Sequence, residues 1–318
     1  VLPAFADIVA AAGRIEGLVN RTPVMVSAAF DARVERRVWF KCENLQVGGA
    51  FKFRGALNAL KQLDPRSTRI VATHSSGNHG TAVALAARSL GFAARIVMPR
   101  DSARTKLAAV QAAGGEVVLC EPGTAAREAA LAELLAREPA AVVHPFDDER
   151  VIAGQGTAAL ELISELGTLD CVVAPVGGGG LIGGTALAAK TLLPGIRVVA
   201  GEPAAADDAQ RSFRCGTRQG VGVPNTIADG LRGSIGVRNF ELLRKYVDDV
   251  VSVSEAEIVA AMRIVLSDLK LLVEPSAAVA VAAVLAGRVG TPGQRIGVIL
   301  SGGNVDLDVC TFLSGRTS

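Results

Sequence analysis

Short runs of aliphatic and β-branched residues alternate along this chain with longer, Ala-rich stretches whose apolar positions recur three or four residues apart. The runs Arg69–Thr73, Ala94–Met98, Glu116–Cys120 and Ala141–His144 read as strands, and Gly80–Leu90, Ser102–Ala113 and Thr124–Arg137 between them read as helices. Further strands are expected at Cys171–Val176, Ile196–Gly201, Asp249–Val253 and Ile296–Leu300, with a helix over Thr185–Leu193. Alternation of this kind implies an α/β protein in which helices cover parallel sheet. No repeat, low-complexity tract or linker marks a boundary, but one group of βα units spans residues 70–147.

Composition narrows the picture. With 318 residues, 50% of them hydrophobic, the chain can bury a large core and form two lobes. A net charge of +2 without a dense cationic cluster argues against a nucleic-acid partner. The cysteines at 42, 120, 171, 215 and 310 are odd in number, scattered and without a C-x-x-C pair. They read as reduced thiols rather than a disulfide framework or a zinc site. The longest apolar run, Ala277–Ala286, is too short to span a bilayer, so no membrane partner is expected. The first fifteen residues carry Asp7 and Arg14 and lack a basic start, unlike a signal peptide. The expected setting is cytoplasmic.

Pro175–Gly184 reads PVGGGGLIGG, after a strand and before a helix. Backbone N–H groups bared by glycine at a helix N-terminus make a phosphate site. Gly178, Gly180 and Gly183 satisfy G-x-G-x-x-G, and Glu202 lies 19 residues further on, where a dinucleotide-binding fold places a ribose ligand. Four consecutive glycines exceed what that turn needs, and other segments favour a different cofactor. Lys52 is flanked by Phe51 and Phe53 and preceded by Gly48 and Gly49, in a chain with only seven lysines. Apolar flanks depress an amine pKa, which suits a Schiff-base lysine. Ser75-Ser76-Gly77-Asn78-His79-Gly80 joins a strand to a helix and suits an amino-acid carboxylate. Ser301-Gly302-Gly303-Asn304 follows the last strand, where a serine can reach a buried ligand.

Taken together and in order, these segments resemble the fold-type II pyridoxal-phosphate enzymes, and within them the serine racemase and serine/threonine dehydratase group. The resemblance runs through Phe40-Lys41-Cys42-Glu43, the Lys52 motif, His74–Gly80, Ile152–Thr157 and the glycine loop. It continues through Glu202-Pro203, Thr226–Gly230, Val273-Glu274-Pro275 and Ser301–Asp306. It implies a tryptophan synthase β-like fold of two open, twisted, mostly parallel α/β domains. Residues 1–69 with 148–318 would form the large cofactor domain, 70–147 the small one, and the protein would be a homodimer.

The resemblance also assigns roles. Lys52 would carry pyridoxal phosphate as the internal aldimine and later act as general base. Gly177, Gly178, Gly179 and Gly180 would hold the cofactor phosphate, Asn78 the ring hydroxyl, Phe51 the ring face and Ser301 the pyridine nitrogen. A serine there does not protonate the nitrogen, which favours elimination over transamination. The implied reaction converts a small β-hydroxy amino acid such as L-serine or L-threonine to a 2-oxo acid and ammonia. Ser76 matches the second acid–base group of racemases. Ser75, Ser76, Asn78 and His79 would line the substrate site. Glu202, Ala206 and Asp208 match a divalent-cation site whose oxygen ligands suit Mg²⁺, Mn²⁺ or Ca²⁺. Arg127 and His74 match residues facing the substrate side chain and could read a second carboxylate, as in 3-hydroxyaspartate. Two positions depart from the racemase pattern. Ala50 replaces a common serine, and Phe146-Asp147-Asp148 is similar to plain dehydratases.

Overall fold

The computed structural model describes residues 1–75 and 77–306. Ten strands form two sheets. The six-stranded sheet contains β1 (Val24–Met25), β2 (Arg37–Lys41), β7 (Cys171–Pro175), β8 (Arg197–Pro203), β9 (Asp249–Val253) and β10 (Arg295–Ile299), in the order β1-β2-β10-β7-β8-β9. Only the β1–β2 pairing is antiparallel. The four-stranded sheet, β3 (Ile70–His74), β4 (Ala93–Pro99), β5 (Gly115–Cys120) and β6 (Ala141–Val142), is wholly parallel in the order β5-β4-β3-β6. The helices are α1 (Phe5–Ile15), α2 (Ala28–Val34), α3 (Lys52–Leu60), α4 (Asn78–Leu90), α5 (Arg104–Ala112) and α6 (Thr124–Arg137). They continue with α7 (Glu149–Leu166), α8 (Gly180–Leu192), α9 (Asp208–Cys215), α10 (Val237–Tyr246), α11 (Glu255–Ile264) and α12 (Pro275–Leu285).

Both faces of the large sheet are dry, which explains why its strands are continuous apolar runs. Val173 of β7, Val199 of β8 and Val298 of β10 pack with α11 and α12 on one side. Their neighbours Val172, Ala174 and Val198 pack with α1, α7, α8 and α10 on the other. In the small sheet, Val71 and Ile96 face α3 and α4, while Ala72 and Val97 face Leu131 of α6. Four cysteines, Cys42, Cys120, Cys171 and Cys215, are free thiols, and Cys310 lies outside the described residues. Among the described residues no helix is long and apolar enough to cross a membrane.

Most expected elements keep their place with bounds shifted by one or two residues, as in α4, α5 and β8, and two differences have a clear physical cause. β6 stops at Val142, because the chain turns at His144-Pro145 and proline has no N–H to continue a ladder. Helix α8 starts at Gly180 rather than Thr185, so Gly183 and Gly184 lie inside it. Their purpose is contact between helices. A Cβ on Gly184 would lie 2.5 Å from the Ile152 carbonyl oxygen and 2.6 Å from the Gly156 nitrogen, both in α7.

Gly184→Ala should therefore cost about 1–3 kcal/mol by overpacking one backbone against another. Gly195, whose Cβ position is open, supplies the control. Thermal denaturation should show a lower melting temperature for Gly184→Ala and little change for Gly195→Ala. Equal effects would contradict the close-packed α7–α8 contact.

Candidate active site

A cavity of about 1030 Å³ is lined by the segments that follow the carboxyl ends of β3, β4, β6, β7 and β10. Ligands of open parallel sheets gather there because helix N-termini and the loops before them converge on that edge.

Lys52 is the first residue of α3, and its Nζ donates to the Pro145 carbonyl at 2.8 Å. Burial lowers its pKa to about 8, against the opposing pull of the Glu274 carboxylate. The preceding residue, Phe51, donates its backbone N–H to the Ser301 carbonyl at 3.0 Å, which joins the lysine loop to the end of β10. Two residues beyond Lys52, the enclosed Arg54 guanidinium donates to Glu43 at 2.7 and 2.9 Å and to Glu161 at 2.7 and 2.9 Å. Lys41 completes this cluster, reaching Glu161 at 2.6 Å.

Gly177, Gly178, Gly179 and Gly180 border the same cavity and lead into α8. Gly179 has φ +89°, a left-handed conformation that glycine adopts without strain. A Cβ on Gly178 would lie 2.2 Å from the Phe146 ring. This bare backbone at a helix N-terminus can hold a phosphate. The dinucleotide alternative fails on geometry. Glu202 is enclosed and accepts the N–H groups of Ala209 and Gln210 at 3.0 and 2.9 Å, away from the cavity lining.

Ser75, Asn78 and His79 also line the cavity, whereas Ser76 lies outside the described residues. Asn78 donates to both Glu274 oxygens, at 3.0 and 2.9 Å, and its own Oδ1 accepts from Asn304 at 3.0 Å. His79 Nε2 lies 3.2 Å from the Val143 carbonyl, so that nitrogen carries the proton. Its buried Nδ1 has no hydrogen-bond partner. Burial, with Lys52 nearby, holds its pKa well below the ordinary value. His74 and Arg127 are brought together on the cavity wall. Burial and then the Arg127 charge lower the His74 pKa. All three histidines of the chain, His74, His79 and His144, face this cavity.

Several residues in or beside the cavity wall carried no role in the sequence reading. Glu274 is enclosed, and burial raises its pKa while Asn78 and Lys106 oppose the shift. Its motif, Val273-Glu274-Pro275, was visible, but its partner lies 196 residues away. Lys106 of α5 forms an ion pair with Asp229. Asn239 donates to the Phe146 and Gly178 carbonyls at 2.9 and 2.7 Å, tying the glycine loop to residues 144–147. Lys106 and Asn239 stand out in no linear motif.

The expected cation ligands form a separate cluster. Glu202 ends β8, Ala206 follows it, and Asp208 begins α9; all three are buried. Asp208 Oδ2 accepts from the Ile235 N–H at 2.8 Å, while its Oδ1 is buried without a hydrogen-bond partner. Burial pushes Glu202 up to about 8 and Asp208 up to about 6. Among the described residues no three His, Cys, Asp or Glu side chains gather as a metal cluster. Carboxylate oxygens are donors that suit a hard cation.

A half-buried lysine of lowered pKa, a glycine cradle without room for a Cβ, and a buried serine around one cavity fit a phosphate-bearing carbonyl cofactor. Comparison with known proteins agrees. A model of the family described as "Pyridoxal-phosphate dependent enzyme" matches residues 15–302. A beta-hydroxyaspartate dehydratase of Paracoccus denitrificans is 44% identical over 96% of this chain and 98% of its own length. A serine racemase of Arabidopsis thaliana is 46% identical over 92% and 91% of the two chains. The structure of maize serine racemase superposes with a TM-score of 0.95 at 41% identity, covering 98% of this chain and 96% of that one.

The Lys52 environment has a direct readout. An amine with a pKa of about 8 becomes neutral and nucleophilic above that pH, well before a lysine at the ordinary 10.5. Pulse acylation of cofactor-free protein, read peptide by peptide by mass spectrometry, should give Lys52 a midpoint near pH 8. A midpoint shared with exposed lysines would contradict burial as the cause of the shift.

Proposed function

The chain belongs to the pyridoxal-phosphate dependent enzymes, and from that premise we propose that it eliminates water and ammonia from a small β-hydroxy amino acid. The carrying observation is the position of the Lys52 amine, in one cavity with the glycine loop and the Ser75–His79 loop. In this reading residues 70–147 form a small domain against the cofactor domain built from 1–69 and 148–318.

Pyridoxal phosphate, when bound, supplies the electron sink that makes the α-proton of the substrate acidic. Gly177–Gly180 with the α8 N-terminus would hold its phosphate, Lys52 its carbonyl carbon, Ser301 its ring nitrogen, Asn78 its hydroxyl and Phe51 one ring face. The N–H groups at the start of α4, with Ser75 and His79, orient the substrate carboxylate. As a free amine, Lys52 has a lowered pKa that suits it to take the α-proton near neutral pH. That proton, carried by Lys52, and the β-hydroxyl leave together as one water, and the released enamine hydrolyses in water to a 2-oxo acid and ammonia. Ser76 would supply an acid–base group for racemisation if it faces the substrate from the opposite side.

One observation favours 3-hydroxyaspartate over serine or threonine: Arg127 and His74 stand together on the cavity wall. A guanidinium fork matches a second carboxylate bidentately. The similarity to a dehydratase named for β-hydroxyaspartate supports the same choice. Glu202, Asp208 and the Ala206 carbonyl would bind a divalent cation, supported by the orphaned Asp208 oxygen.

A product assay for 2-oxo acid and D-isomer on serine, threonine and 3-hydroxyaspartate tests the reading. Lys52→Ala should abolish product formation from all three. Arg127→Ala should lower kcat/KM on 3-hydroxyaspartate by roughly one to two decades, the worth of a charge-assisted pair. Serine and threonine should change much less, and an equal fall on all three would remove the case for the dicarboxylate.

Chelation tests the cation. Stabilisation by a bound ion follows mass action, so the melting temperature of wild type should rise with free Mg²⁺, Mn²⁺ or Ca²⁺ and fall with chelator. Asp208→Asn should lose that dependence. Indifference of the wild type to both additions would refute the site.

A further inference from the structure

His144 lies outside every role assigned so far, yet it occupies the centre of the cavity wall. Its Nδ1 accepts two backbone N–H groups, from Phe146 at 3.3 Å and from Asp147 at 2.8 Å. A nitrogen that accepts carries no proton, so the ring is neutral and its single proton sits on Nε2. The segment folded in this way does three things. Its Pro145 carbonyl accepts from Lys52 Nζ at 2.8 Å. Its Phe146 ring closes against Gly178, and Asn239 ties the Phe146 carbonyl to the Gly178 carbonyl. Its Asp147 carboxylate caps α10, accepting from Val237 and Arg238 at 3.2 and 3.0 Å. Lysine and phosphate cradle are therefore linked through one short turn, and the turn is held by one imidazole lone pair.

We infer that His144 is a positioning residue that sets the Lys52 amine and the glycine loop in register by accepting the Phe146 and Asp147 N–H groups. The inference rests on the reading that Lys52 carries the cofactor. Its chemistry requires a neutral ring, and the surroundings keep it neutral. The groups facing it are His74, edge-on at 5.6 Å, with Lys52, Asp147 and Asp148. Burial foremost, then His74 and Lys52, lower its pKa to about 4 against the opposing pull of Asp147 and Asp148. With Lys52 as a free amine, the Pro145 carbonyl holds one amine proton. That contact restricts the lone pair that takes the α-proton to two directions.

Asparagine distinguishes this role from simple packing. Its Oδ1 is bonded to Cγ as histidine Nδ1 is, and an Asn side chain accepts backbone N–H groups two and three residues on in the same way. Phenylalanine keeps the ring and removes the acceptor. The experiment compares wild type, His144→Asn, His144→Phe and Lys52→Ala as holoenzymes. It measures the rate at which bound cofactor absorbance is lost on dilution, together with kcat, KM and melting temperature. His144→Phe should release cofactor and lose kcat by about tenfold or more each, since two half-buried N–H groups lose their acceptor, with KM affected less. His144→Asn should recover both to within a few-fold at a similar melting temperature. If asparagine behaves like phenylalanine, or phenylalanine changes neither cofactor release nor kcat, the inference is overturned. Should His144→Phe fail to fold, His144→Ala replaces it in the same comparison. The Lys52→Ala variant separates the two readings. Retained cofactor absorbance and turnover there would overturn the assignment of Lys52 itself. Their loss beside an unaffected His144→Phe would overturn the His144 role alone.

Discussion

Arg54 is fully enclosed, and its guanidinium is saturated by two carboxylates, Glu43 beyond β2 and Glu161 in α7. Lys41, also enclosed, and Thr22 complete the set, so two cations face two anions with their donors and acceptors used. Such a cluster adds little net stability over apolar packing, but breaking one member leaves an uncompensated buried charge, at a cost of roughly 3–5 kcal/mol. Its value is geometric. A fork held on both prongs admits one orientation of the backbone that carries it. That backbone is the first turn of α3, and Lys52 lies two residues before Arg54. The rest of the site inherits this fixed point: Phe51 meets the Ser301 carbonyl, and Lys52 meets the turn at Pro145.

Around that lysine the cavity pushes its titratable groups toward neutrality. Burial is the largest cause at Lys52, His74, His79, His144 and Glu274, lowering the bases and raising the acid. A wall built this way lets an amine gain and lose a proton near neutral pH, because neither form is strongly favoured. The enclosed carboxylates Glu202 and Asp208 obey the same physics in a different place, without a histidine or lysine among their hydrogen-bond partners.

The alternation of apolar runs and helical stretches was enough to identify most of the elements. Strand β9 and helix α6 fall on the residues the pattern marks, because both are bounded by clear breakers and have one dominant period. The pattern misplaced the start of α8 because glycine has one letter and two uses. Gly177–Gly180 bare a backbone for a ligand, whereas Gly183 and Gly184 make room for neighbouring helices. Only the positions of α7 and α10 separate the two. Likewise the G-x-G-x-x-G spacing and the distant Glu202 matched a nucleotide site in one dimension. The carboxylate instead caps the helix that follows its own strand.

The sequence by itself determined the parallel α/β architecture, the lysine, the glycine loop and the family, because each is written in contiguous residues whose local conformation and order suffice. Tertiary structure alone decided what surrounds the lysine. The Asn78–Glu274 pair spans 196 residues, the Lys52–Pro145 contact 93, and the Arg54–Glu161 contact 107. His144 and Lys106 are ordinary letters until folding brings them to the cavity, as is Asn239 until folding brings it against the Phe146 and Gly178 carbonyls. The physical reason is that hydrogen bonding and desolvation act through space over a few ångströms. A motif records neighbours along the chain, while a pKa, a held lone pair or a paired charge depends on neighbours across it.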